Sequence, residues 1–295
     1  KANFKNINFN FNFQKDNYFF NEINFKAEEV NFISKKLNVK KKKNSFLIDA
    51  IVENDHSSLN LNILKLLNLS FENIIIDDAK FKTNNEFSFE IDEKFKVKNI
   101  ILTSDINITQ LKYKKLKIIN DYFPEINDLI LLENHNLNLN YKDNNLSING
   151  EGKIKLNNDE VDEIKYLINK KDKDLSIDSD LFLKNIVLEQ QDFLKIFFPQ
   201  TNKNINLNNQ KLKINFKNNN LTFSGSGKFK IDKDFEEIDY FIEKKENKIN
   251  FNTNLKLKNT KFKIDNINYK KKDKSKMKLL VNGELTNNKS LNINS

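Results

Sequence analysis

The stretch Tyr122–Asp159, YFPEINDLILLENHNLNLNYKDNNLSINGEGKIKLNND, is written a second time at Phe197–Asp234 as FFPQTNKNINLNNQKLKINFKNNNLTFSGSGKFKIDKD. The two align without a gap at a constant offset of 75, and 17 of the 38 pairs are identical. One residue is then dropped, and Val161–Asn185 runs over Phe235–Asn259 at an offset of 74, with 10 of 25 pairs identical. A composition rich in Asn and Lys produces chance identities, but the rare residues are also in register. Both prolines match (Pro124, Pro199), as do four of the five glycines (Gly150 with Gly225, Gly152 with Gly227). A period this long marks an array whose units extend one continuous core, so function is expected on a long shared surface and not in a single catalytic pocket.

Within the repeat the apolar residues alternate strictly with polar ones, the period of a half-buried strand. Leu137, Leu139 and Tyr141 lead through a turn at 142–145 into Leu146 and Ile148. The copy reads Leu212, Ile214 and Phe216, a turn at 217–220, then Leu221 and Phe223. Asparagine at such turns adopts the left-handed conformations that glycine otherwise supplies. Ile7, Phe9, Phe11 and Phe13 alternate in the same way, as do Phe87, Phe89 and Ile91. Ile164, Tyr166 and Ile168 predict a strand matched by Ile238, Tyr240 and Ile242. Helical signals are short: Leu116–Phe123 and Asp192–Phe198 each run up to a proline at the start of a unit. Leu181, Leu183 and Asn185 match Leu255, Leu257 and Asn259, and Phe95, Val97 and Asn99 read as a third, degenerate copy.

The predicted fold is all-β: an elongated, strongly twisted antiparallel sheet of 75-residue repeats, with short helices at repeat starts and an apolar groove. Residues 1–115 form a degenerate β-repeat region, 116–190 one unit, and 191–295 a second unit with the start of the next. The whole is expected to be one continuous array. The chain begins at Lys1 and stops at Ser295 inside patterned sequence, so it reads as a piece of a longer protein.

The net charge of +9 is carried by lysines interleaved with 41 acidic residues, which is how a solvated face looks and not a nucleic-acid footprint. Two clusters, Lys40–Lys43 and Lys270–Lys276, read as solvated loops able to touch anionic headgroups. Cysteine is absent, which removes disulfides, thiolate metal sites and cysteine nucleophiles. His56 and His135 lack a recognisable catalytic partner, and Gln210 opposite His135 in the repeat suggests an exposed loop position. The acidic pairs Asp77/Asp78 and Glu236/Glu237 read as turn residues among lysines. No metal site, cofactor or catalytic residue is expected, and the chain reads as non-enzymatic.

The glycines carry the functional expectation. Leu146, Ile148, Gly150, Gly152, Ile154 and Leu156 share one parity, hence one face of one strand. The copy is Leu221, Phe223, Gly225, Gly227, Phe229 and Ile231. Glycine inside a strand marks a bend or a close approach. Two emptied apolar-facing positions either coil the sheet or leave a gap for an acyl chain, and these twelve residues are the candidate lipid-groove lining.

The pairing of Gly150–Gly152 and Gly225–Gly227 with the following Ile164–Tyr166 and Ile238–Tyr240 resembles the AsmA-like proteins of Gram-negative envelopes, particularly the large YhdP-type branch. A closing Ile267, Asn268, Tyr269 and Lys270 adds to the likeness, which covers Leu116 to about Thr286. The resemblance implies a β-repeat groove with an apolar lining that carries phospholipid across the periplasm. It also implies attachment to the inner membrane through an N-terminal helix that this sequence does not contain. Phospholipid acyl chains are the expected partner, and nucleic acid is not. The alternative is a structural or adhesive β-repeat protein of the cell envelope whose apolar faces are closed.

Overall fold

The computed structural model of the protein describes residues 4–60, 74–75, 79–115, 126–156, 161–172, 174–189, 194–201, 204–286 and 290–294. The fold is all-β and antiparallel, and among the described residues one α-helical turn, α1 (Leu194–Phe197), lies just before Pro199. The helix expected before Pro124 and the pair Asp77/Asp78 lie outside the described residues. Two compact units share the chain: residues 1–116, 128–154 and 166–174 in the first, and 117–127, 155–165 and 175–295 in the second.

The first unit is a meander of β1 (Phe4–Gln14), β2 (Asn17–Ala27), β3 (Val30–Lys41), β4 (Ser45–Ser58), β5 (Ile74–Ile75), β6 (Lys80–Asp92), β7 (Val97–Lys114) and β8 (Leu129–Lys142). Each long strand pairs with the next, β4 passing directly to β6, while β5 adds two residues to β7. Alternation sets the register. Phe20, Leu37, Ala50, Phe87, Leu102 and Tyr141 lie opposite one another in one row across six strands. Val30, Leu59, Ala79 and Phe81 are buried together at one end of that face, with Phe32, Ile108 and Leu111 packed on them. β9 (Asn145–Lys155) and β10 (Asp162–Lys171) give residues to both units.

The second unit runs β11 (Asp174–Glu189), β12 (Asn204–Lys217), β13 (Asn220–Lys230), β14 (Phe235–Lys245) and β15 (Lys248–Leu257). A small ribbon comes next, β16 (Lys263–Ile264) and β17 (Tyr269–Lys270), before β18 (Met277–Thr286) and β19 (Ser290–Asn294) resume the meander. β11 to β15 pair in sequence order, and β18 then pairs with β15 and β19. Buried Phe198, Phe229, Ile231, Leu257 and Phe262 form its core, with Leu194 and Phe197 of α1 and Ile264 of the ribbon packed against them. Each such side chain contributes about 2 kcal/mol when fully withdrawn from water.

The expected hairpins are present. Asp143 and Asn144 turn with φ of 50° and 62°, Asn218 and Asn219 with 48° and 65°. A two-residue turn with both centres left-handed matches the twist of the strands it joins. Among the described residues no glycine has a positive φ, so the left-handed positions fall to Asn, Asp, Glu, His, Lys and one Phe. Glycine is freed for another use.

The third signature copy does not sit at Phe95, Val97 and Asn99. Phe95 is 87% exposed in the turn between β6 and β7, with φ of 58°, whereas Leu181 and Leu183 are buried in mid-strand. Leu181 and Leu183 face Leu212 and Gln210, and 75 residues earlier Ile106 and Ile108 face Leu137 and His135. Of Ile267, Asn268, Tyr269 and Lys270, only Tyr269 and Lys270 are in a strand, the two-residue β17 paired with β16, because Asp265–Ile267 is a single 3-10 turn and Asn268 its left-handed cap.

Candidate functional site

The strand that carries the paired glycines is built as its alternation requires. Leu146 and Ile148 are half-buried on the apolar face, Ile154 and Leu156 are buried, and Lys153 on the other parity is exposed. In the second copy Leu221 and Phe223 are half-buried, Phe229 and Ile231 are buried, and Lys228 is exposed. Lys155 and Lys230 are half-buried, the latter with its ammonium 5.5 Å from the centre of the Phe235 ring.

The glycines do not leave an empty slot, which corrects the expectation that Gly150, Gly152, Gly225 and Gly227 make room for an acyl chain. A Cβ on Gly225 would lie 2.3 Å from Cζ of Tyr240, its cross-strand partner. A Cβ on Gly150 would lie 2.4 Å from the same atom of Tyr166. Each tyrosine lies over the bare backbone of its glycine, an arrangement that restores the packing a strand glycine lacks. Burial raises the phenol pKa of both, to about 12 for Tyr166.

The second glycine of each pair is covered by a polar side chain. A Cβ on Gly152 would meet the His135 ring at 2.5 Å, and one on Gly227 would meet the Gln210 amide at 2.3 Å. His135 and Gln210 are 3% and 1% exposed, so neither occupies an exposed loop position. Each comes directly after a left-handed residue, Asn134 or Asn209, both with φ of 51°. At Asn209 the extra residue is a bulge against β13, and it turns both Leu207 and Gln210 to the apolar face. Gln210 Nε2 then donates to the carbonyl of Lys228 at 2.8 Å. Nε2 of His135 lies 3.0 Å from the carbonyl of Lys153, the matching position 75 residues earlier. A carbonyl only accepts, so Nε2 carries the proton and Nδ1 accepts from the Tyr166 hydroxyl at 3.2 Å. Burial lowers the His135 pKa, partly offset by the bond to Lys153. The imidazole is engaged at both nitrogens and serves the packing of the sheet.

A third repeated contact lies at the strand starts. Asp162 is buried and accepts from the Lys184 amide at 2.8 Å. Glu236, expected in a turn, is buried in β14 and accepts from the amides of Lys258, Asn259 and Thr260 at 2.9, 2.6 and 2.7 Å. No sequence cue separated these carboxylates from the solvated ones except their match across the 74-residue offset.

Beyond these contacts the second unit presents a continuous apolar face. Ile214, Phe223, Ile242 and Phe251 lie opposite one another across β12 to β15. Leu212, Gly225, Tyr240, Thr253 and Val281 make the next row, and Phe216 faces Leu221 in the row beyond. Every apolar side chain in these rows is half-buried, and among the described elements none packs across these rows. The opposite end, at Phe229, Ile231 and Leu257, is closed by α1 and Phe262. Phe229 and Ile231 thus belong to a sealed core and are not available as open lining, unlike Leu221 and Phe223.

The polar face has its own hollow of about 600 Å3, bordered by Asp180, Phe182, Lys211, Lys213, Ser224 and Ser226. It arises where small β13 residues sit between long side chains of neighbouring strands. Among the described residues no group of three or more His, Asp or Glu is placed to hold a metal. No described helix is long and apolar enough to cross a membrane. Comparison with family models, curated proteins and solved structures finds no match for this chain.

Proposed function

We propose that this chain is a non-enzymatic lipid-binding segment in which acyl chains lie on the half-exposed apolar face of the sheet. In this reading the 75-residue repeats build an elongated, strongly twisted sheet whose apolar side is a groove. The observation that carries the reading is the set of adjacent half-buried apolar rows around Phe223, Ile242 and Phe251, over which no described element packs. An apolar sheet face is stable when covered by a second sheet, a helix or lipid. Four strands at about 4.8 Å spacing present a row of roughly 14 Å, comparable with the ~15 Å chain layer of one bilayer leaflet. Each buried methylene contributes about 0.8 kcal/mol, so affinity comes from area, with headgroups left in water near the strand lysines. The resemblance to AsmA-like proteins supports extending this to phospholipid passage between inner and outer membrane across the periplasm, in a protein held at the inner membrane by a segment outside this sequence.

Lipid extraction and mass spectrometry of protein purified without detergent test the proposal. Phospholipid should accompany the native chain and should fall severalfold in the variant Phe223→Thr/Ile242→Thr/Phe251→Thr, which keeps strand-compatible residues while removing apolar area. Lys228→Gln on the other face should leave it unchanged. Equal lipid in the native chain and the triple variant, both folded, refutes binding on this face. No lipid in any of them favours the structural β-repeat reading.

A further inference from the structure

The β16–β17 ribbon of the second unit, with the segment that leads from it to β18, brings exposed lysines together with exposed apolar surface. Residues 261–276 hold seven lysines and two aspartates, a local excess of five positive charges within a chain whose net charge is +9. Lys261, Lys270, Lys272, Lys274 and Lys276 are exposed. Between them Ile267 is 69% exposed and Tyr269 41% exposed. One aspartate is committed, since Asp265 accepts from the Lys263 ammonium at 2.5 Å.

The ribbon has a firmly anchored base. Phe262 is buried in the core, its ring 5.4 Å from Phe198 and 6.2 Å from Phe197. Lys271, 7% exposed, donates from Nζ to the Lys258 carbonyl at 2.6 Å, and its amide donates to the Phe262 carbonyl at 2.9 Å. Glu236 fixes the entry to the ribbon through three backbone amides. The turn closes through the Asn268 amide on the Asp265 carbonyl, with Asn268 left-handed at φ of 52°. Folding has thus anchored the base and left Ile267 exposed at the turn. Tyr269 is exposed along one edge, while its ring packs on Phe262 and its hydroxyl donates to Met277 Sδ at 3.5 Å. Lys270, Lys272, Lys274 and Lys276 are exposed in and after β17.

We infer that the β16–β17 ribbon and the segment after it dock on an anionic bilayer surface, with Ile267 and the exposed edge of Tyr269 entering the interface and Lys270, Lys272, Lys274 and Lys276 meeting lipid headgroup phosphates. Charge complementarity selects the partner. Each lysine brought to an anionic surface raises binding about fivefold, and Tyr and Ile are suited to the boundary between headgroups and chains. Lys40–Lys43 in the first unit provide an internal contrast. They are similarly basic, but Lys42 pairs with Glu90. Val39 and Phe46, which flank them in the chain, lie within paired strands opposite Ile48 and Ile91, and the exposed apolar residue at that sheet end is Phe95 in the β6–β7 turn. Docking at the ribbon is independent of acyl-chain binding on the sheet face.

Vesicle flotation with the full chain tests it, using vesicles of phosphatidylcholine alone and of phosphatidylcholine mixed with phosphatidylglycerol. The chain should float with the anionic vesicles and not the neutral ones, and binding should fall steeply as salt is added. Lys270→Gln/Lys272→Gln/Lys274→Gln/Lys276→Gln should weaken it at least about a hundredfold. Ile267→Ser/Tyr269→Ser, which leaves the charge intact, should weaken it about tenfold or more by removing the apolar insertion. Lys40→Gln/Lys41→Gln/Lys42→Gln/Lys43→Gln removes the same charge elsewhere and should change it little. Equal loss from the two lysine sets, or unchanged binding in the Ile267/Tyr269 variant, overturns the assignment. Flotation reads surface docking and extraction reads retained lipid, so either proposal can fail while the other stands.

Discussion

Replacing Gly225 with alanine tests whether the strand glycines exist to seat rings. In an ordinary strand interior alanine is favoured over glycine by about 0.5–1 kcal/mol, because glycine loses more conformational freedom on folding. Here the added Cβ would lie 2.3 Å from Cζ and 2.4 Å from the hydroxyl oxygen of Tyr240. Carbon contacts are comfortable at about 3.5–4.0 Å, so the ring must withdraw by more than about 1 Å. Overpacking of this kind costs about 1–3 kcal/mol, and the net expectation is destabilisation by about 1–2 kcal/mol. Tyr240→Ala removes the obstacle, and in that background Gly225→Ala should be neutral or stabilising by up to about 0.5–1 kcal/mol. The double-mutant cycle in urea, monitored by far-UV circular dichroism, should return a coupling of about 1.5–3 kcal/mol. A Gly225→Ala variant as stable as the native chain, or effects that simply add, refutes the reasoning. An unchanged m-value is the control that the two states compared remain the same.

The other repeated contacts make two more predictions. His135→Gln places in the first copy the residue that the second copy uses at Gln210, so the bond to the Lys153 carbonyl is retained and stability at neutral pH should change by less than about 1 kcal/mol. Burial holds the His135 pKa below its ordinary value, so the neutral ring contributes stability that is present above the unfolded pKa near 6.5 and is lost as pH falls through the folded value. Acid unfolding curves should therefore show the variant less sensitive in that window, and an unchanged pH profile would count against a buried neutral imidazole. Glu236→Ala strips acceptors from three backbone amides, and hydrogen exchange at Lys258, Asn259 and Thr260 should accelerate at least about tenfold, each lost charged bond being worth about 1.5–3 kcal/mol. Unaltered exchange there would mean that water replaces the carboxylate at no cost.

The strands, their parity and their hairpins were legible in the sequence because they depend on local rules. Alternation with a period of two fixes which residues share a face, and Asn–Asn or Asp–Asn pairs specify the turn without reference to the rest of the chain. Leu146, Ile148, Leu221 and Phe223 facing one way and Lys153 and Lys228 the other required nothing more. The 75-residue offset also links His135 with Gln210, whereas Glu236, which the 74-residue alignment places over Asp162, reads in sequence only as a turn residue. The role of each pair was not legible, because a left-handed residue such as Asn209 shifts the parity of the residues after it, and only the neighbouring strand reveals the shift.

Tertiary structure alone decided what lies above each glycine. Emptiness at Gly225 is the same in sequence whether it admits a lipid, bends the sheet or receives Tyr240 from the next strand, and cross-strand register selects among these. The same holds for the end of the apolar face, where Phe229 and Ile231 resemble Leu221 and Phe223 by pattern but are closed over by Phe198 and Phe262. Pattern records which side of a strand is apolar. Whether that side meets protein or is left half-exposed depends on residues far along the chain that fold back across it.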